Sequence, residues 1–431
     1  MFKTTSSRES HKMQLQLKTI FNFVEKHKSF VYKSVTLERR KGSPRIVARI
    51  APRANSRGHC SGCGKRRRGY DRLPEREFHY VPLWNIAVVL LYALRRVDCP
   101  QCGVKVEQIP WASGKSRLTN SYKLFLADWA KRLSWKETAR VFHTSWETVF
   151  RAVRSVVRWG LKHRSLRGIK AIGVDEVQYR RGHKYLTLVY QIDGSAKRLL
   201  YVAQDRTKAS LRGFFKILTK KEKASIQFAC SDMCQAYLTV LKKHLGHAVH
   251  VLDRFHIVKK MNEALDKVRA AEVKQLKQDK CEPVLTNARW CILKRRENLT
   301  EKQTVKLKEI LKYNLKTVRS LLMKEDFQRF WGYRSIGCAR RFLKEWCTRA
   351  LRSRIEPMKK MARTLREHEE LILNWFRAEG TISAGAVEGL NNKLKVVTRK
   401  AYGFRTFGAA EIALYHTLGN LPEPKRPHRF S

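Results

Sequence analysis

Hydrophobic and polar positions change period several times along the chain, and each change marks a structural boundary. Residues 30–37 and 45–50 have the apolar content of short strands, separated by the turn signal Gly42-Ser43-Pro44. Residues 86–97 are apolar and β-branched, the pattern of a strand or a hairpin arm. From residue 119 to about residue 163 the spacing becomes helical. Segments 135–142 and 146–157 predict two short helices around His143-Thr144-Ser145, with Ser145 placed to cap the second. Then the period shortens again. An apolar run at 169–174 ends at Asp175-Glu176, and 184–192 alternates with Leu186, Leu188, Tyr190 and Ile192 on one side. A third strand is predicted at 198–203 and a helix at 208–219. A fourth strand at 225–230 ends at Ser231-Asp232, and a fifth at 248–252 ends at Asp253. Between these last two, Met233, Ala236, Tyr237, Val240, Leu241 and Leu245 form one helical stripe. Three antiparallel-looking strands followed by alternating helix and strand predict a mixed α/β sheet. Residues 254–380 read as almost entirely helical, with Trp290, Trp331, Tyr333, Trp346 and Trp375 among many basic positions. A last helix, 383–400, carries Glu388.

The chain has 431 residues, enough for two or three domains. Its 91 Lys and Arg against 37 Asp and Glu give a formal charge of +54, while 43% of residues are hydrophobic. That apolar content excludes a disordered basic tail. A folded protein so charged repels itself unless it works against a polyanion, and nucleic acid is the expected one, ahead of a membrane surface. The charge disfavours a small-metabolite enzyme. The best apolar stretch, 81–94, is too short for a membrane span and contains Pro82 and Asn85. The amino terminus has no apolar core of a signal peptide. A cytoplasmic, nucleoid-associated protein is expected, with its ten cysteines reduced.

Four of those cysteines form two matched pairs, Cys60-Ser61-Gly62-Cys63 and Cys99-Pro100-Gln101-Cys102, each followed by glycine (Gly64, Gly103). Glycine suits the knuckle turn that aims two thiolates at one ion, so the four predict a structural Zn²⁺ site. His59 reads as a bystander, and Cys230, Cys234, Cys281, Cys291, Cys338 and Cys347 as core or surface thiols. The helix pair at 135–157 is a helix-turn-helix candidate with 146–157 as recognition helix. Arg151, Arg154 and Arg158 then become DNA-binding candidates. The bland alternative is two ordinary packed helices with a solvated basic face.

In so basic a chain, carboxylates at strand ends stand out. Asp175 closes the first strand and Asp232 the fourth. If those strands are neighbours, both carboxylates emerge at one end of the sheet, where hard oxygen ligands suit a pair of Mg²⁺ or Mn²⁺ ions. Glu388, in the first turn of its helix, fits as a third ligand. Asn392, Lys395 and Arg399 follow it on the same helical face, placed to grip phosphate. Singly, each carboxylate has an ordinary reading: a turn for Asp175, a helix cap for Asp232, a solvated helix position for Glu388. Asp253-Arg254-Phe255-His256 is ambiguous: Asp253 also ends a strand and could join the acidic cluster, with His256 on a metal or phosphate, but the preferred reading of Asp253 is the cap of the next helix. Glu176 and Asp193 read as neighbours.

Several stretches together resemble bacterial insertion-sequence transposases of the DDE class, in the subgroup with an amino-terminal zinc ribbon and helix-turn-helix. They are Gly173-Val174-Asp175-Glu176, Ser231-Asp232-Met233-Cys234-Gln235-Ala236-Tyr237, and Leu252-Asp253-Arg254-Phe255-His256. The most specific is Glu388-Gly389-Leu390-Asn391-Asn392-Lys393-Leu394-Lys395, continuing to Ala401-Tyr402-Gly403-Phe404. The resemblance runs from Cys60 to about Leu421. It implies a ribonuclease H-like core with Asp175, Asp232 and Glu388 as catalytic carboxylates, and a helical insertion at 254–380. The expected fold is therefore multidomain α/β. It comprises a basic region at 1–57, a zinc ribbon at 58–115, a helix-turn-helix domain at 116–165, a catalytic domain at 166–421 and a disordered tail at 422–431. The expected function is binding of terminal inverted repeats and metal-dependent cleavage and strand transfer, by a homodimer or larger assembly on element and target double-stranded DNA. Two rivals remain: a structure-selective nuclease with the same core, and a non-catalytic DNA-binding regulator.

Overall fold

A computed structural model describes residues 16–40, 42–180, 182–193, 197–378 and 385–425. The chain forms two units, residues 1–164 with 421–431, and residues 165–420. Both contain a sheet and helices, so the chain is mixed α/β as the residue pattern predicts.

The first unit opens with α1 (Leu17–Val24), followed by β1 (Phe30–Arg40), β2 (Ser43–Pro52), β3 (Gly58–His59), β4 (Arg66–Leu83), β5 (Ile86–Cys99) and β6 (Gly103–Val106). These strands make one sheet in the order β1-β2-β5-β4-β3, with β6 also on β5. Only β2 and β5 run parallel. The core lies over Phe78, Leu90, Tyr92 and the fully buried Trp111, whose ring meets Phe30 and Tyr92 edge-on at 4.9 and 5.3 Å. Strand β4 has no counterpart in the sequence reading. Its early residues carry Arg and Glu on exposed positions, and ion pairs that reach over β5 to β2, such as Arg49–Glu75 (2.9 Å) and Arg45–Glu77 (3.0 Å), replace apolar alternation. It turns into β5 through Trp84 and Asn85, both at positive φ, the backbone of a tight two-residue hairpin. Three helices follow: α2 (Asn120–Arg132), α3 (Trp135–Val141) and α4 (Trp146–His163).

The second unit carries β7 (Ala171–Arg180), β8 (Lys184–Gln191), β9 (Arg198–Gln204), α5 (Lys208–Ile217), α6 (Lys220–Ala224), β10 (Phe228–Ser231), α7 (Gln235–His244) and β11 (Val249–Leu252). Its sheet order is β11-β10-β7-β8-β9. Strands β10 and β11 run parallel to β7, and β8 is antiparallel to both β7 and β9. Leu211, Phe214 and Phe215 of α5 and Tyr237, Val240 and Leu241 of α7 bury one face of the sheet. Unlike the short strand expected, β7 continues to Arg180. It runs on beside β8 after its parallel neighbour β10 has stopped pairing at Gly173.

Residues 254–378 are helical: α8 (Arg254–Gln278), α9 (Arg289–Leu293), α10 (Glu301–Ile310), α11 (Lys316–Gln328), α12 (Ile336–Arg352), α13 (Glu356–Glu367) and α14 (Glu369–Arg377). Trp346 is fully buried in their core, Trp331 packs on its edge and Trp290 is exposed. Helix α14 covers edge strand β11, with the Asn374 amide donating to the His250 carbonyl at 2.7 Å. Two helices, α15 (Gly385–Lys400) and α16 (Phe407–Leu418), complete the unit. The start expected for α15 at 383 lies outside the described residues, as do residues 426–431 of the tail expected at 422–431. Among the described residues no helix is long and apolar enough to cross a membrane.

Candidate active site and metal centre

Strand register brings the aspartates together. Cys230 pairs with Gly173, and Ser231 pairs with Leu252. Two residues further along β10 and β7 stand Asp232 and Asp175. One residue further along β10 and β11 stand Asp232 and Asp253. Neighbouring parallel strands lie about 4.8 Å apart, so this register sets all three carboxylates at one level of one sheet end. Parallel alignment alone guarantees that they leave at the same end.

Each aspartate is held by backbone. Asp175 Oδ1 accepts from the Glu176 N–H at 2.7 Å, Asp232 Oδ1 from the Cys234 N–H at 3.0 Å, and Asp253 Oδ1 from the Phe255 N–H at 2.7 Å. Asp253 is thus the amino-terminal cap of α8, as the sequence suggests. Capping occupies one oxygen and leaves Oδ2 beside the His256 ring, 3.6 Å from Nε2. The same Nε2 lies 3.9 Å from Asp175 Oδ1. Burial raises the pKa of all three carboxyls. Asp253 is pushed up to about 6, chiefly by burial, which outweighs the favourable pull of His256 and the Phe255 N–H, with smaller repulsion from Asp175 and Asp232. Carboxylates gathered this way in a protein of charge +54 form a set of hard oxygen donors of the kind that divalent cations take.

Helix α15 lies against this sheet end. A Cβ on Gly173 would meet Val387 Cγ2 at 2.5 Å, so the glycine is what lets the first turn of α15 approach β7. One turn on, Asn391 donates its amide to Asp175 Oδ2, and its own carbonyl accepts from the Tyr190 hydroxyl at 2.9 Å. Glu388 sits on that first turn, between the two contacts, and is exposed. Among the described residues its carboxylate makes no hydrogen bond or ion pair. Asn392, Lys395 and Arg399 are exposed on the same face, with the Lys395 ammonium 3.4 Å from Asn392 Oδ1. The structure therefore groups Asp175 and Asp232 with Asp253, and sets Glu388 on a helix pinned to that cluster. Glu176 pairs instead with Arg206 at 3.0 Å, and Asp193 accepts from the backbone of Lys170 and Ala171.

The four cysteines of the paired motifs meet in the first unit. All four sulfurs lie within 4.8 Å of one another, the one such group of His, Cys, Asp or Glu ligand atoms among the described residues. The carboxylates above are more widely spaced than that. Gly64 and Gly103 both adopt φ +70°, the left-handed turn that each knuckle needs. The Gly64 N–H closes its knuckle onto the Cys60 carbonyl at 2.8 Å, and Cys63 and Cys99 sulfurs stand 3.6 Å apart. Burial opposes ionisation of Cys99, yet the N–H groups of Gln101 and Cys102 bring its thiol down to about 6. Burial and the neighbouring sulfurs push Cys102 up to about 12. A tetrahedral thiophilic cation fits such a donor set. Of the other cysteines, Cys230, Cys291 and Cys347 are buried, and Cys281 and Cys338 are exposed.

Both helices at 135–163 are capped, the second by Ser145 as the sequence suggests. Ser134 and Glu137 form a capping box on α3, and Ser145 accepts from the Thr148 N–H at 3.2 Å. His143, at φ +47°, makes the turn between them. Val149, Ala152, Val153, Val156 and Val157 bury one face of α4. Arg151 and Arg158 are exposed on the other, and Arg154 lies over the Phe150 ring at 5.5 Å.

A family model described as transposase, of the ISL3 group, matches residues 172–413. The chain belongs to the ISL3 transposase family. Over 349 residues it is 29% identical to the transposase for insertion sequence element IS1001 of Bordetella parapertussis, covering 80% of this chain and 85% of that protein. It is 28% identical over 405 residues to the transposase for IS1557 of Mycobacterium tuberculosis, covering 88% and 90%. The family match spans every strand of the second sheet and helix α15, so the aspartate cluster and Glu388 all fall within it. Membership implies a DNA-cleaving, DNA-binding enzyme.

Proposed function

We propose that this ISL3 transposase cuts and joins DNA at the aspartate cluster of the second unit. That unit is read as a ribonuclease H-like core. Numbered from the first strand of the sheet, β11-β10-β7-β8-β9 is the order 5-4-1-2-3 with the second strand antiparallel, which is the arrangement of that fold. The observation that carries the reading is the register setting Asp175, Asp232 and Asp253 side by side, under the helix that bears Glu388.

Asp175, Asp232 and Glu388 would hold the Mg²⁺ or Mn²⁺ ions, with Asp253 reinforcing the negative field while it caps α8. Bound there, divalent ions supply activation of the attacking hydroxyl and charge neutralisation at the phosphodiester. Asn392, Lys395 and Arg399, continuing from Glu388 along α15, would hold the DNA backbone and orient the scissile phosphate. Water would attack at the element end, so that one P–O bond forms and the 3′ oxygen leaves as a hydroxyl. That 3′-hydroxyl then attacks a target phosphodiester, and the target's own 3′ oxygen departs. The four cysteines would hold a structural Zn²⁺ that fastens the turns of β3, β5 and β6. Helices α3 and α4 would act as a helix-turn-helix on the terminal repeats, with Arg151, Arg154 and Arg158 toward DNA. Joining two ends at once calls for a dimer or larger assembly on DNA. The test is a cleavage and joining assay on duplexes carrying the element's own ends, with and without Mg²⁺. Cleavage without joining would favour the nuclease reading.

A further inference from the structure

We propose that Asn391 and Tyr190 form a positioning relay that sets the metal-binding geometry of Asp175 and Glu388 together. The inference rests on the carboxylate reading above and adds residues that act through it. Tyr190 is fully buried on β8, next to β7 in the sheet. Its hydroxyl donates to Asn391 Oδ1 at 2.9 Å, which orients the side-chain amide so that its N–H₂ faces Asp175 Oδ2. Burial and the nearby Asp175 carboxylate keep that phenol protonated, hence a donor.

The consequence is geometric. Both oxygens of Asp175 are now assigned: Oδ1 accepts from the Glu176 N–H and looks toward His256, and Oδ2 is tied to α15. A carboxylate fixed at both oxygens cannot swing about its last torsion, so the lone pairs offered to a cation are fixed as well. The same amide fixes the rotational phase of α15 against β7. Glu388 precedes Asn391 by three positions, on the adjoining face of the helix. One side chain therefore positions a first carboxylate from the strand and a second from the helix. Tyr190 is needed because an unrestrained Asn amide could present its oxygen to Asp175, which would repel it. Outer-shell hydrogen bonds of this kind typically change metal affinity by about 10–100-fold.

The experiment is Mn²⁺ binding to the full chain, read as free Mn²⁺ by electron paramagnetic resonance, with thermal unfolding measured alongside. Wild type, Asn391→Ala, Tyr190→Phe and Asp175→Asn are compared. Asn391→Ala is expected to weaken Mn²⁺ binding about tenfold, and Tyr190→Phe to weaken it less, while both stay folded. The double variant is expected to be no worse than Asn391→Ala alone, because the tyrosine acts through the asparagine. If Asn391→Ala does not fold, Tyr190→Phe decides by itself. Wild-type Mn²⁺ binding in either folded variant, with binding lost in Asp175→Asn, overturns the relay and leaves the carboxylate site standing. Wild-type binding in Asp175→Asn overturns the site and the relay with it.

Discussion

His256 Nε2 stands 3.9 Å from Asp175 Oδ1, so the first turn of the long helical segment reaches the first strand of the second unit's sheet. That closeness follows from Asp253. By capping α8 at the end of β11, it sets His256, in the first turn of the helix, within reach of Asp175. A cap and a cluster member are thus one residue doing two things with two oxygens.

The cluster stores electrostatic cost, and Asp253 makes it measurable. Its folded pKa of about 6 lies above the ordinary carboxyl value, so the folded state binds the proton more tightly than the unfolded state does. Stability from this group is complete below about pH 4 and is lost as pH rises through 6. In metal-free protein, Asp253→Asn, which keeps a capping side chain, should unfold later than wild type at pH 7.5, by about 1–3 kcal/mol. The advantage should vanish below about pH 4. Chemical denaturation at both pH values checks this, and an advantage that persists undiminished in acid would refute the assignment.

Gly173 sets the closeness of α15 to β7. Gly173→Ala should push Val387 away, costing about 1–3 kcal/mol, and should lower DNA cleavage more than it lowers DNA binding. Pairing it with Val387→Ala should restore much of both stability and cleavage. A Gly173→Ala protein of wild-type stability and rate would show that the helix packs elsewhere.

Metal analysis checks the four-thiol cluster. Purified wild type should carry about one equivalent of zinc. Cys99→Ser should lose it and destabilise the first unit, since the cluster fastens turns with little apolar core around them. Unchanged zinc stoichiometry in Cys99→Ser rules out the four-thiolate site.

For α4, Arg151→Ala with Arg158→Ala should weaken binding to end-sequence duplex and reduce its salt dependence, without moving the melting temperature. Binding that is indifferent to both substitutions would leave α3 and α4 as packed helices only.

Much of the second unit was legible in the residue pattern, because alternation and helical stripes report burial directly. The five strands, helices α5 and α7 and the cysteine pairs all read from local spacing, while the short α6 did not. What stayed hidden depends on register or on distant partners. Strand β4 carries ion pairs where alternation is expected. The run of β7 past Asp175 is held by β8 after β10 has ended. Asp253 reads locally as a cap or as a strand-end carboxylate able to join the cluster, and the pairing of Ser231 with Leu252 makes it both, a cap beside Asp232. Tyr190 looked like one more apolar-face residue of an alternating strand, and Asn391 like a filler inside a motif. Their role appears once α15 is laid on the sheet. Gly173 gave a faint signal, a glycine inside an apolar strand next to a motif aspartate, which points to close approach of another element.

The central claim is that carboxylates from β7, β10 and α15 act as one metal-dependent site on DNA. The most direct measurement is strand cleavage and joining on duplexes bearing the element's ends in Mg²⁺, comparing wild type with Asp232→Asn and Glu388→Gln at matched protein fold and DNA binding. Wild type is expected to cleave and join, while both variants fall to background in both steps. Joining at the wild-type rate by either variant would contradict the claim.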